Sequence, residues 1–152
     1  MRAIRDERQR FDEVLARVPR ERLAEPGVSD DEWSVKDVLA HIAWGLRENV
    51  GVARTRVLAG SDLWRLGDDE RNAIVFERER DRPLDDVLRD HRESFDDFMR
   101  ALDDLTEEEL NDPTRIRDMI PGWRPWRILY HPGHADGHAE DICAWLQRGR
   151  PA

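Results

Sequence analysis

Five histidines carry most of the chemistry this 152-residue sequence has to offer. Three of them, His131, His134 and His138, lie three and four residues apart in one short stretch. On an α-helix those spacings put the rings on one stripe. Ile142 and Trp145 continue the stripe and turn it toward a core. Two imidazoles four residues apart on one helix face can reach a single metal ion, as in zincin helices. Buried without partners, each would cost about 1–3 kcal/mol. His41 lies elsewhere, at the edge of another apolar helical face, with Gly45 and Glu48 following in its row and Gly45 leaving room above the ring. Taken alone, His41 reads most simply as a tolerated residue at a core boundary. His91 reads as a seam histidine bonded to a neighbouring helix. Three neutral imidazoles on one ion would leave a position open for water or substrate, and the ion would lower the pKa of bound water or polarise a substrate oxygen.

The elements that must position these residues are helical. Ile4, Phe11, Val14, Leu15 and Val18 recur at helical spacing and predict a first helix from Arg2 to about Val18, stopped by Pro19. A connector follows over Arg20 to Trp33. Ser34 with Asp37 forms a capping-box pattern, and Val35, Val38, Leu39, Ile42, Leu46 and Val50 define one face of a second helix that runs to about Ala59 and ends at Gly60. A helical segment over Asp69 to Arg80 precedes Pro83, which suits the first turn of the next helix. That helix carries the seam Leu84, Leu88, His91, Phe95, Phe98, Leu102 and Leu105. Thr106 and Glu109 cap a further short turn, Thr114 to Pro125 reads as loop, and the last helix lies within Trp126 to Gln147. No period-two strand pattern is evident. Long antiparallel helices joined by connectors predict an all-α four-helix bundle, a fold that often places metal sites between facing helices.

Several local features sharpen the last segment. Pro132 lacks a backbone N–H and sits badly inside a helix, so His131 falls at a helix N-terminus, as a cap or pocket-rim residue. Gly133 and Gly137, four apart, either allow a close helix contact or make space beside the ligands. The six tryptophans read mainly as packing residues, with Trp123 and Trp126 placed to line a pocket mouth. Cys143 reads as a small buried residue.

Composition removes other functions. The net charge is −9 with no basic run, which argues against nucleic acid as a partner. One cysteine permits no intrachain disulfide. The N-terminal MRAIRDERQRF has no apolar core of a signal peptide, and no apolar run reaches membrane-spanning length. The expectation is a single domain over residues 1–152, cytoplasmic and off the membrane. No Gly-rich phosphate loop, nucleophile elbow or Ser/His/Asp arrangement is present.

Three segments, in order, resemble a known family. They are Trp33-Ser34-Val35-Lys36-Asp37-Val38-Leu39-Ala40-His41-Ile42-Ala43-Trp44; the stretch from Asn72 through Leu110; and His134-Ala135-Asp136-Gly137-His138-Ala139-Glu140-Asp141-Ile142-Cys143-Ala144-Trp145-Leu146. The sequence resembles the DinB-like superfamily of helical bundles, and within it the ClbS/DfsB branch. That resemblance implies an up-up-down-down bundle, often a homodimer, to which the sequence adds short extra helical turns in the connectors. It also implies a divalent metal, zinc or nickel, bound by one His on the second helix and two on the last; the matching positions are His41, His134 and His138. Activities in the superfamily include thiol-dependent transferases and isomerases, and the ClbS/DfsB branch includes self-resistance proteins that disarm reactive natural products. The Tyr-rich context of that branch is replaced here by Tyr130-His131-Pro132-Gly133.

The function expected on these grounds is metal-dependent action on a small electrophilic metabolite, by thiol transfer or hydrolysis. Glu48, His91 and His131 are the candidates for acid–base or ligand-orienting work. The alternatives are a non-enzymatic ligand-binding or self-resistance protein that uses the same cleft, and an interaction module whose dimer face uses exposed Trp and Leu residues.

Overall fold

The structure is a computed structural model, and it describes residues 1–29, 32–58, 62–118, 122 and 124–149. The chain folds as helices α1 (Arg2–Leu15), α2 (Val35–Thr55), α3 (Asp68–Glu79), α4 (Leu84–Asp103), α5 (Glu107–Asn111), α6 (Pro125–Leu129) and α7 (His134–Arg148). Single 3-10 turns occupy Arg20–Arg22, Asp62–Arg65 and Pro113–Arg115. The most extensive pairings are α2 with α4 and α1 with α7, and together these four helices make the bundle.

The helix starts follow their capping chemistry. The Ser34 hydroxyl accepts from the Asp37 N–H, and the Asp37 carboxylate accepts from the Ser34 N–H at 2.8 Å, so two otherwise orphaned donors are met. Thr106 and Glu109 repeat the arrangement at α5. Asp68, Asp69 and Glu70 put negative charge on the first turn of α3, where the helix dipole favours it. Pro83 stands at the N-cap of α4, one position before the first turn.

The structure departs from the sequence expectations in four places. The connector holds a small antiparallel sheet of β1 (Pro26–Ser29) and β2 (Trp33–Ser34). Strands this short, joined with an irregular register, cannot display an alternating pattern. α1 ends at Leu15, where Arg17 and Val18 donate to carbonyls three residues back and tighten the turn before Pro19. α2 stops at Thr55, with Arg56 in the left-handed conformation (φ 57°) and its guanidinium donating to Glu109. The expected end at Gly60 lies outside the described residues. The last helix is broken into α6 and α7 around Pro132 and Gly133, the latter at φ +80°.

Among the described residues two large apolar clusters and a smaller one of Trp44, Leu63 and Val75 fill the interior. One large cluster joins Phe11, Val35, Val38, Leu39, Val87, Ile142 and Trp145. The other joins Val50, Val52, Phe98, Leu102, Ile116, Ile128 and Leu129. A cavity of about 490 Å³ is lined by residues of both, Phe11 from the first and Phe98, Ile128 and Leu129 from the second. Leu84, Leu88 and Phe95 of the expected seam are half-buried, and of the three only Phe95 borders this cavity. On the other side of α2, Arg47 and Arg82 both donate to Asp90, and Glu79 accepts from both arginines.

Candidate metal centre

His41 rises from α2 two turns after the Ser34 cap, on the face that carries Val38 and Leu39 into the core. It is 7% exposed, and the Trp33 indole meets its ring edge-on at 5.5 Å. His134 opens α7 and His138 follows one turn later. The bundle brings the three Nε2 atoms together: 3.5 Å from His41 to His134 and 3.2 Å from His134 to His138. Each ring offers a ligand atom within 4.8 Å of those of the other two.

These spacings test whether the residues fit a metal. Two imidazole nitrogens, each about 2.1 Å from one ion at a tetrahedral angle, stand about 3.4 Å apart. The observed 3.2 and 3.5 Å bracket that value. Hydrogen bonding alone accounts for the cluster less well. A neutral imidazole nitrogen has either one N–H or one lone pair, so His134 Nε2 cannot bond well to both neighbours at once. His41 Nδ1 is buried and unpartnered, which leaves Nε2 as the nitrogen turned toward the cluster. The donor set fits a divalent transition ion.

Electrostatics keep the rings in the form a metal needs. Burial pushes His41 down to about 3, and the neighbouring His134, His138 and Arg71 act in the same direction. His134 is pushed to about 4, by burial first and by His138 and His131 next, with Glu7 opposing. Water still reaches much of His134, which limits how far burial can act on it. Burial alone takes the half-buried His138 to about 4. Neutral imidazoles are ligands; imidazolium ions are not.

A buried carboxylate secures the start of α7. Glu7 of α1, 8% exposed, accepts from the Tyr130 hydroxyl and, at 3.0 Å, from the Gly133 N–H. Burial and then the Glu7 carboxylate raise the Tyr130 phenol to about 12, so the phenol stays protonated and donates. Arg10 adds an ion pair with Asp136 on the same two helices. Sequence reasoning missed this arrangement. Its signal was present: Ile4, Glu7 and Phe11 follow one apolar row, and an acid in such a row asks for a partner.

The remaining candidates separate. His91 is 2% exposed on α4, lies 5.7 Å from the Phe11 ring, and lines the cavity. His131 is exposed just before α7, 6.2 Å ring to ring from His134, and stands outside the three-histidine group. Glu48 accepts from the Trp64 indole at 3.2 Å. Arg71, which sequence reasoning passed over, lines the cavity and lies against the Trp64 ring at 5.4 Å. Trp126 is 40% exposed, and Trp123 lies outside the described residues. A Cβ added at Gly137 would meet nothing within 4 Å, so no helix packs closely there; Gly133 is explained by its positive φ.

Against known proteins, residues 4–131 match the family model described as the mycothiol maleylpyruvate isomerase N-terminal domain. The matched stretch takes in His41 and ends before α7. Neither a curated protein nor a solved structure matches the chain.

Proposed function

The chain belongs to the mycothiol maleylpyruvate isomerase N-terminal domain family, which is DinB-like, and from that premise we propose that it is a divalent-metal-dependent enzyme acting on a small electrophilic metabolite by thiol transfer or hydrolysis. The observation that carries this reading is that His134 Nε2 stands at metal-ligand spacing from the Nε2 atoms of both His41 and His138, beside a cavity. The family description names a thiol and an isomerase, which favours the thiol-dependent form.

His41, His134 and His138 would hold the ion; three imidazoles suit several divalent transition metals, and the DinB-like resemblance implies zinc or nickel. When bound there, the ion supplies Lewis acidity, which lowers the pKa of a bound thiol or water and polarises a carbonyl oxygen. The chain's own residues do the rest. The Trp33 ring covers His41 and holds its orientation. Glu7 fixes the turn that presents His134. Arg71 brings positive charge to the cavity and draws anionic groups toward the histidines. Trp44 and Trp64, stacked at 5.8 Å, line the cavity and limit water.

The test is elemental analysis of chain expressed without an affinity tag, paired with zinc and nickel titration of a His134→Ala variant. His134 lies near the surface, so the variant is expected to fold. About one ion per chain, and a large loss of affinity in the variant, are expected from a site of three ligands. Protein without stoichiometric metal, whose variant takes up added zinc or nickel as tightly as the wild type, would overturn the reading. Tight ligand binding that survives chelation, without turnover, would assign the cleft to sequestration instead.

A further inference from the structure

The cavity follows α2. His41, Gly45 and Asn49, four residues apart on that helix, all line it. At 1.5 Å per residue it therefore extends about 12 Å from the histidine cluster. Beyond the cluster Leu46, Phe95, Phe98, Ile128 and Leu129 give it apolar wall, with Arg8 and Asn49 among the polar residues that also line it.

Gly45 lies midway. A Cβ built there meets nothing within 4 Å, so no neighbouring backbone or side chain requires the glycine. Its φ is negative, so conformation does not require it either. A glycine inside a helix is unfavourable relative to alanine. What its missing side chain leaves open is the cavity itself. Three buried polar atoms without partners, Arg8 Nη1, His41 Nδ1 and Asn49 Oδ1, also belong to residues lining this cavity. Sites that give up local stability in this way are commonly functional.

We propose that the cavity takes an elongated small molecule with an electron-pair-donating head at His41, His134 and His138 and an aromatic or branched apolar body laid over Gly45, and that Gly45 sets the bulk of the body accepted. The head's placement rests on the metal reading above. The body's placement rests on the cavity alone.

Two hydroxamates with one chelating head test this on the zinc-loaded full chain, with binding followed by calorimetry. Acetohydroxamate has no body, whereas 4-phenylbenzohydroxamate spans the cavity. The longer probe is expected to bind about tenfold tighter or more, the return on burying its rings. Gly45→Leu is expected to erase that advantage while zinc content and acetohydroxamate affinity stay as in the wild type. Gly45→Ala is expected to melt at higher temperature than the wild type and to lose a smaller part of the advantage. Equal affinity of the two probes for the wild type, or an advantage that survives Gly45→Leu, overturns the proposal. If the chain holds no zinc, the metal reading fails by itself, and 4-hydroxybiphenyl, a body without a chelating head, decides the rest. Binding to the wild type that Gly45→Leu abolishes supports the apolar site. No binding to the wild type, or equal binding to both, overturns it.

Discussion

His91 and His41 are both buried imidazoles in apolar rows, yet they differ in what surrounds them. His41 faces two other imidazoles, whereas His91 meets the Phe11 ring and feels the charges of Arg8, Asp90 and Arg92. Burial first, and then the positive charge of Arg8, pushes His91 down to about 3; Asp90 opposes. The native chain therefore refuses a proton that the unfolded chain accepts below about pH 6.5. Stability is flat above that pH and falls as the pH drops toward 3. At pH 5 the cost from one such histidine is about 2 kcal/mol. Urea unfolding of metal-free wild type and His91→Phe at pH 7 and pH 5 checks this. The variant is expected to lose about 2 kcal/mol less on acidification, and equal losses would show that His91 titrates normally. His131, by contrast, is exposed and separate from the ligand group, and the spacing that placed it on their stripe assumed a helix that begins only at His134.

At the scale of elements, α2 carries both a capping box at its start and His41 two turns later. Substituting Ser34→Ala removes the acceptor for the Asp37 N–H and is expected to cost about 1 kcal/mol of stability, read by thermal unfolding. Because His41 and Gly45 lie well beyond the frayed turn, zinc affinity is expected to change far less than stability. A large, parallel loss of both would mean that the cap positions the ligand directly. The element boundaries show which signals are local. Both capping boxes and the helical segment before Pro83 were legible, because each depends on neighbours within four residues. The end of α2 was not, because Arg56 takes its left-handed turn while its side chain reaches Glu109 more than fifty residues on.

For the whole molecule, the site exists only when α1, α2 and α7 are docked. α2 supplies one of the three candidate ligand histidines, α7 supplies two, and α1 supplies the carboxylate that ties down the turn before His134. Truncating Glu7→Ala leaves the Tyr130 hydroxyl and the Gly133 N–H without their acceptor and is expected to cost about 1–3 kcal/mol. It is also expected to weaken zinc binding, since His134 loses its anchored start. Glu7→Gln keeps an acceptor oxygen and is expected to restore most of the affinity. Metal titration of the folded variants, read apart from their unfolding curves, separates the two effects; unchanged zinc affinity in Glu7→Ala would confine Glu7 to a stabilising role. Among the described residues, no helix is long and apolar enough to cross a membrane.

The sequence by itself determined the helical class, most helix starts, and His134 with His138 as a pair, because a helix fixes neighbours three and four residues apart whatever the rest of the chain does. It also marked Gly45 as open space in the row of His41, and the structure finds no atom within 4 Å of a side chain added there. Only the tertiary structure decided that His41 joins that pair, that His131 stays outside it, and that Glu7 and Tyr130 brace it. Those contacts link residues about a hundred positions apart. No local periodicity encodes such a distance; only the packing of α1 and α2 against α7 brings the residues together.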